Sequence, residues 1–143
     1  MRKYYLFLIR DDIKDNYINS EENLYSILYE IYKLNLDNIY YGISIYNQIC
    51  NVFDKEIINN YLKNKNKKFI KCINNKFFIN DIKIHEKSCI QVNNSCIVIK
   101  SNCNYPNSLK IFRWYSFNIF ICDFENKDYF WIIPKNEKIK SYS

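Results

Sequence analysis

The sequence predicts an α+β fold, a mixed or antiparallel sheet packed against two or three helices, in a single domain spanning residues 1–143. Three features predict it. Aromatic and β-branched runs bounded by polar residues stand near both ends of the chain, period-two apolar spacing fills its middle, and helical spacing with capping residues lies between. With 143 residues there is enough chain for one core, and no Gly/Ser/Pro-rich linker or internal repeat divides it.

Residues 3–9, KYYLFLI, form a short aromatic and aliphatic run that stops at charge, which reads as a buried strand. The polar segment after it has room for one or two helical turns. Asn19 or Ser20 then offers an N-cap, Glu21 and Glu22 suit the positive end of a helix dipole, and Leu24, Ile27, Leu28 and Ile31 follow at i, i+3, i+4 and i+7. Residues 39–49 fit a strand or a short helix. Asp54 opens a further amphipathic helix through Ile57, Ile58 and Leu62, and KNKNKKFIK from Lys63 reads as a polar connection. Beyond it the period becomes two: Ile82/Ile84, Ile90/Val92 and Ile97/Ile99 alternate with other residues, with Asn93-Asn94 as a tight turn. Asn104 as cap and Pro106 in the first turn begin a helix carrying Leu109, Phe112 and Tyr115. FNIFICDF, the turn ENKD and the returning strand YFWII, closed by Pro134, complete the chain.

Composition limits the function classes. Ile, Asn, Lys and Tyr are abundant, Ala and Thr are absent, and Gly42 is the only glycine, the pattern that AT-rich codons produce. The net charge of +6 and the many aromatics therefore carry less weight as signs of nucleic-acid binding than in a balanced sequence. A Gly-rich phosphate loop is impossible with one glycine, no nucleophile elbow is present, and His85 is the only histidine, so no enzyme activity, cofactor or small-molecule substrate is expected. No run of 18 apolar residues could span a bilayer and no signal-peptide core is present, which places the expected site of action in the cytoplasm without a membrane partner. The six cysteines contain no CxxC pair. His85, Cys89, Cys96 and Cys103 lie within 19 residues, but their spacing of seven does not suit zinc, and reduced thiols are the simpler reading.

Two charged regions stand out. Lys63, Lys65, Lys67, Lys68, Lys71 and Lys76 follow one another without an intervening acid, among Phe69, Phe77 and Phe78. That is the composition of a nucleic-acid groove, but a solvated loop leading into a strand is the simpler reading, and direct nucleic-acid binding is not expected. Residues 10–30 instead hold two bases, Arg10 and Lys14, against six acids, so this face would repel DNA and direct nucleic-acid binding is disfavoured there. Within it, Ile13 and Tyr17 fall one helical turn apart. An apolar anchor inside a polar rim has this pattern, and so does a pair tucked onto the chain's own core.

The two ends of the chain together resemble the sporulation inhibitor of replication family, SirA. YYLFLIRDDIKDNYINSEE resembles its opening of paired tyrosines, an aromatic-Leu-Ile-basic run, two acids, an apolar residue and a Tyr four positions on. DFENKDYFWIIP resembles its closing pattern through Asp123, Phe124, Tyr129, Trp131 and Pro134. The resemblance implies a non-enzymatic regulator that binds the N-terminal domain of the replication initiator DnaA and stops new rounds of replication during sporulation. It carries a contact surface onto Ile13, Tyr17 and Gln48. Ile13 stands where the family has an aromatic, so an apolar anchor is kept with less ring area, and Gln48 matches after a one-residue shift in register.

Overall fold

The computed structural model describes residues 1–34, 39–65 and 68–132. Pro134 and Lys67, both named above, lie outside them. Eight strands make one antiparallel sheet: β1 (Arg2–Ile9), β2 (Cys50–Asn51), β3 (Ile70–Ile73), β4 (Lys76–Asp81), β5 (Glu86–Val92), β6 (Ile97–Ser101), β7 (Ile119–Asp123) and β8 (Asp128–Trp131). They run in the order β3-β4-β5-β6-β1-β7-β8, and β2 pairs with the end of β1. Among the described residues, four α-helices, α1 (Asp11–Tyr17), α2 (Glu21–Lys33), α3 (Ile39–Ile49) and α4 (Lys55–Asn64), and a 3-10 helix (Asn107–Trp114) pack on both faces of that sheet, so the helical layer is larger than sequence periodicity predicts.

β1 is central because both of its faces are apolar. Tyr4, Leu6 and Leu8 point into one core, shared with Ile58 and Leu62 of α4 and with Leu109 and Phe112 of the 3-10 helix. Phe7 and Ile9 point into the second, under Leu24 and Leu28 of α2 and Ile49 of α3. The α2 face is wider than its aliphatic spacing suggests. Tyr25, Tyr29 and Tyr32 recur at i, i+4 and i+7 and pack around Phe124, with centroids 4.4 Å apart for Tyr32 and Phe124 and 4.8 Å for Tyr25 and Tyr129.

Several local expectations meet a different solution. Residues 39–49 form a helix, and only Cys50 and Asn51 beyond it pair with β1. Asp54 does cap α4, accepting from the Ile57 amide at 3.2 Å. Ile82 and Ile84 lie in a turn and are 76% and 43% exposed, because β4 ends at Asp81. The tight hairpin turn is Asn74-Asn75, with both φ positive at 53° and 63°, as a type I′ turn requires, whereas Asn93-Asn94 sits in a four-residue loop. The 3-10 helix is capped by a residue far away in sequence. Glu86, 1% exposed, accepts from the amides of Asn107 at 2.8 Å and Ser108 at 3.3 Å, while Asn104 accepts from Arg2 instead.

The sheet's C-terminal edge is tied to β1 by one guanidinium. Arg2 donates to buried Asp123 at 2.8 Å and to Asp128 and Asn104 at 3.2 Å, between the rings of Tyr4 and Tyr105. The Tyr105 hydroxyl donates to Asp128 at 2.6 Å.

Candidate functional site

α1 is too short to be stable alone, and three side-chain straps hold it. Arg10, extended at its N-cap, chelates Asp12 through Nε at 3.1 Å and Nη2 at 2.9 Å. Its Nη1 donates to the Asn47 carbonyl at 3.1 Å and its backbone amide to the Ile49 carbonyl at 2.9 Å, so the start of α1 is fixed to the end of α3. On the other side Lys14 donates to the Phe117 carbonyl at 3.0 Å and lies over the Trp131 ring, while Asn118 donates to the Asp11 carboxylate.

Ile13 and Tyr17 lie one turn apart on this helix and are half-buried, packed against the margin of the second core. Neither is sealed in. Among the described residues the Tyr17 hydroxyl makes no hydrogen bond, and it is not among the buried polar atoms. Gln48 is exposed in the last turn of α3, between the two residues whose carbonyls hold Arg10, and its amide is likewise without a partner. The three sequence-predicted residues thus belong to two helix segments joined through Arg10.

The surface extends further than the sequence indicated. Next to α1, Ile18 and Phe117 are 45% and 46% exposed, and along α3 Tyr40 and Tyr41 also face solvent. Tyr41, Ser44 and Gln48 are spaced i, i+3 and i+7, a signal that was available once 39–49 was read as helix. Gly42 lies on the opposite side, where an added Cβ would meet Leu34 Cδ1 at 2.8 Å, so its bareness lets α3 approach the end of α2.

The face is acidic toward solvent because its two bases are already engaged. Arg10 is spent on Asp12 and Asn47, and Lys14 on Phe117 and Trp131, whereas Asp15, Glu21 and Glu22 form no ion pair among the described residues. Behind α3, burial pushes the Cys50 thiol up to about 12 and raises the Tyr46 hydroxyl, so both stay protonated. The Tyr46 hydroxyl donates to the Ser95 carbonyl at 2.6 Å, locking α3 to the β5–β6 loop.

Among the described residues no three His, Cys, Asp or Glu side chains converge as metal ligands. Nor is any helix among them long and apolar enough to cross a membrane.

The family model for the sporulation inhibitor of replication protein SirA matches residues 2–136. The chain belongs to the SirA family. SirA proteins are, by that description, inhibitors of replication acting in sporulation, which makes this chain's expected role regulatory. No curated protein matches the sequence. The SirA match takes in both helices of the candidate face as well as the β7–β8 hairpin, where Phe124 is buried in the second core and Trp131 lines its margin.

Proposed function

We propose that this SirA-family chain inhibits replication initiation by occupancy: it binds the N-terminal domain of the initiator DnaA through α1 and the end of α3, with Ile13 and Tyr17 as apolar anchors and Gln48 as the orienting amide. The observation that carries this reading is Tyr17, a ring half-buried against a firm support with its hydroxyl free. Such a side chain presents rigid apolar area and a polar tip together, and has little rotamer entropy left to lose on binding. Gln48 can donate and accept at once, which fixes orientation. The acidic rim suits a partner patch bearing Lys or Arg and makes association salt-sensitive.

Calorimetric titration of the DnaA N-terminal domain with the full chain tests this. Tyr17→Ala is expected to weaken binding by about 2 kcal/mol, roughly thirtyfold. Tyr17→Phe leaves the packing and should cost only about 1 kcal/mol of affinity with an unchanged melting temperature. Absence of heat and of any NMR shift with the native protein refutes the proposal. Equal affinity of the native and Tyr17→Ala proteins would remove Tyr17 from the contact.

A further inference from the structure

All of the chain's net charge of +6 lies in residues 63–87, which hold eight lysines and two acids; outside them bases and acids balance. In sequence those lysines look like one polar loop, but the strand register distributes them. Lys63 belongs to α4, while Lys71, Lys76 and Lys87 stand on the sheet.

Directly opposed residues of antiparallel strands point to the same face. Phe77 pairs with Ile90 and Ile90 with Ile99, all buried in the first core, so their neighbours along each strand face the other way. One row on that other face runs Lys71, Phe78, Cys89, Lys100 and Lys3 across β3, β4, β5, β6 and β1. The next runs Ile73, Lys76, Gln91, Val98 and Tyr5, and on the far side of the first row Asn80 opposes Lys87. Among the described residues, helices α1–α3 cover this face over β1, β2, β7 and β8 and reach the β5–β6 loop at Ser95 and Cys96. Over β3–β6 no described helix covers it: Phe78 is 42% exposed at its centre, and Lys71, Lys76, Lys87 and Lys100 are exposed around it. Both rows lack acids, and none of those four lysines forms an ion pair among the described residues.

We infer that the open face of β3–β6 is a binding platform for single-stranded nucleic acid, with Phe78 stacking on a base and Lys71, Lys76, Lys87 and Lys100 holding phosphates. Adjacent strands stand roughly 4.8 Å apart and alternate residues along a strand roughly 6.7 Å, so the backbone positions of these four lysines lie roughly 5–10 Å from that of Phe78, a span their long side chains can bridge to phosphates flanking a base stacked on the ring. A duplex would satisfy the lysines but keeps its base faces stacked away from Phe78. An acidic polypeptide has charge without a π-face to offer the ring. A second copy docked on this face would oppose lysine to lysine. The platform lies on a different part of the sheet from the α1/α3 face, so it is a second site and does not depend on the proposal above.

The test is fluorescence anisotropy of a labelled 12-nucleotide oligothymidylate with the full chain in reducing buffer, beside a duplex of equal length and a polyglutamate of equal charge. Binding to the single strand is expected to fall with salt at a log–log slope of about −3, the value for four phosphate contacts. Phe78→Ala is expected to weaken it roughly tenfold. Lys71→Gln with Lys76→Gln should bring the slope to about −1.5, and both changes lie outside the core, as matched melting curves would verify. Three results would each overturn the inference: no binding at 50 mM salt, affinity indifferent to Phe78→Ala, or duplex or polyglutamate bound as tightly as the single strand.

Discussion

Replacing Glu86 by Ala probes the capping of one helix by a carboxylate some twenty residues earlier in the chain. Glu86 is 1% exposed and accepts from the amides of Asn107 and Ser108 and from the Ser88 hydroxyl at 2.7 Å. In Glu86→Ala the Ser88 hydroxyl keeps Ser101, at 2.8 Å, and the Asn107 amide gains water. The Ser108 amide is the group left stranded, since Ser108 is 2% exposed. One orphaned buried amide costs about 1–3 kcal/mol, and the two charge-assisted bonds lost with it about 1.5 kcal/mol or more each, against which relief from burying a carboxylate counts. A net loss of about 3 kcal/mol follows, or roughly 6–12 °C in melting temperature for a chain of this size. Leu109 and Phe112, carried by that helix into the first core, should loosen with it. Thermal and urea unfolding measure the loss, and amide exchange at Asn107 and Ser108 locates it. An unchanged melting temperature together with unchanged protection of the Ser108 amide would refute the capping argument.

The other predictions concern chemistry and close packing. Burial raises the thiols of Cys50, to about 12, and of Cys122, well above its ordinary range. In the unfolded chain both ionise near pH 8.5, so their contribution to stability is complete below that pH and is lost as pH rises toward 12, by up to about 1.4 kcal/mol per pH unit for each thiol; urea unfolding across pH 8–11 reads it. At pH 8 a thiol reagent should modify exposed Cys72 at once, and Cys50 and Cys122 only on unfolding. Arg2→Lys should cost about 1–2 kcal/mol in urea unfolding, because one ammonium cannot reach Asp123, Asp128 and Asn104 together. Gly42→Ala should leave the melting temperature nearly unchanged, a helix-propensity gain of about 1 kcal/mol offsetting the displacement of Leu34 Cδ1, whereas Gly42→Val should lower stability by about 2 kcal/mol.

What the sequence made legible was whatever depends on near neighbours. The KYYLFLI run, the spacing of Leu24 and Leu28 and the Asp54 cap each encode an element within about a turn or a strand, and each is where it was expected. Ile82 and Ile84 misled because alternation in a turn looks the same as alternation in a strand when no partner is visible. β3 and β4 were hidden by lysines, which an outward-facing row tolerates at every second position. Their real signal, Asn74-Asn75, competed with a similar pair at 93–94. At the candidate site, Ile13 and Tyr17 could be read from helical spacing, but their half-burial could not. It depends on the strapping of α1 by Phe117, Asn118 and Trp131, more than a hundred residues away. The cap on the 3-10 helix was out of reach for the same reason.

The placement of β1 at the centre of the sheet also governs how the molecule must be made. Its principal neighbours are β6 and β7, which end at Ser101 and Asp123, so among the described strands β1 waits longest for its partners. At 5–20 residues per second the ribosome leaves YYLFLI unsatisfied for roughly 6–20 s. Throughout that interval a greasy, hydrogen-bond-hungry ribbon is available to chaperones and to other nascent chains, and the support beneath the α1/α3 face is incomplete until β7 has been made. A truncated product of this chain would therefore be silent and prone to aggregate, never a weaker inhibitor.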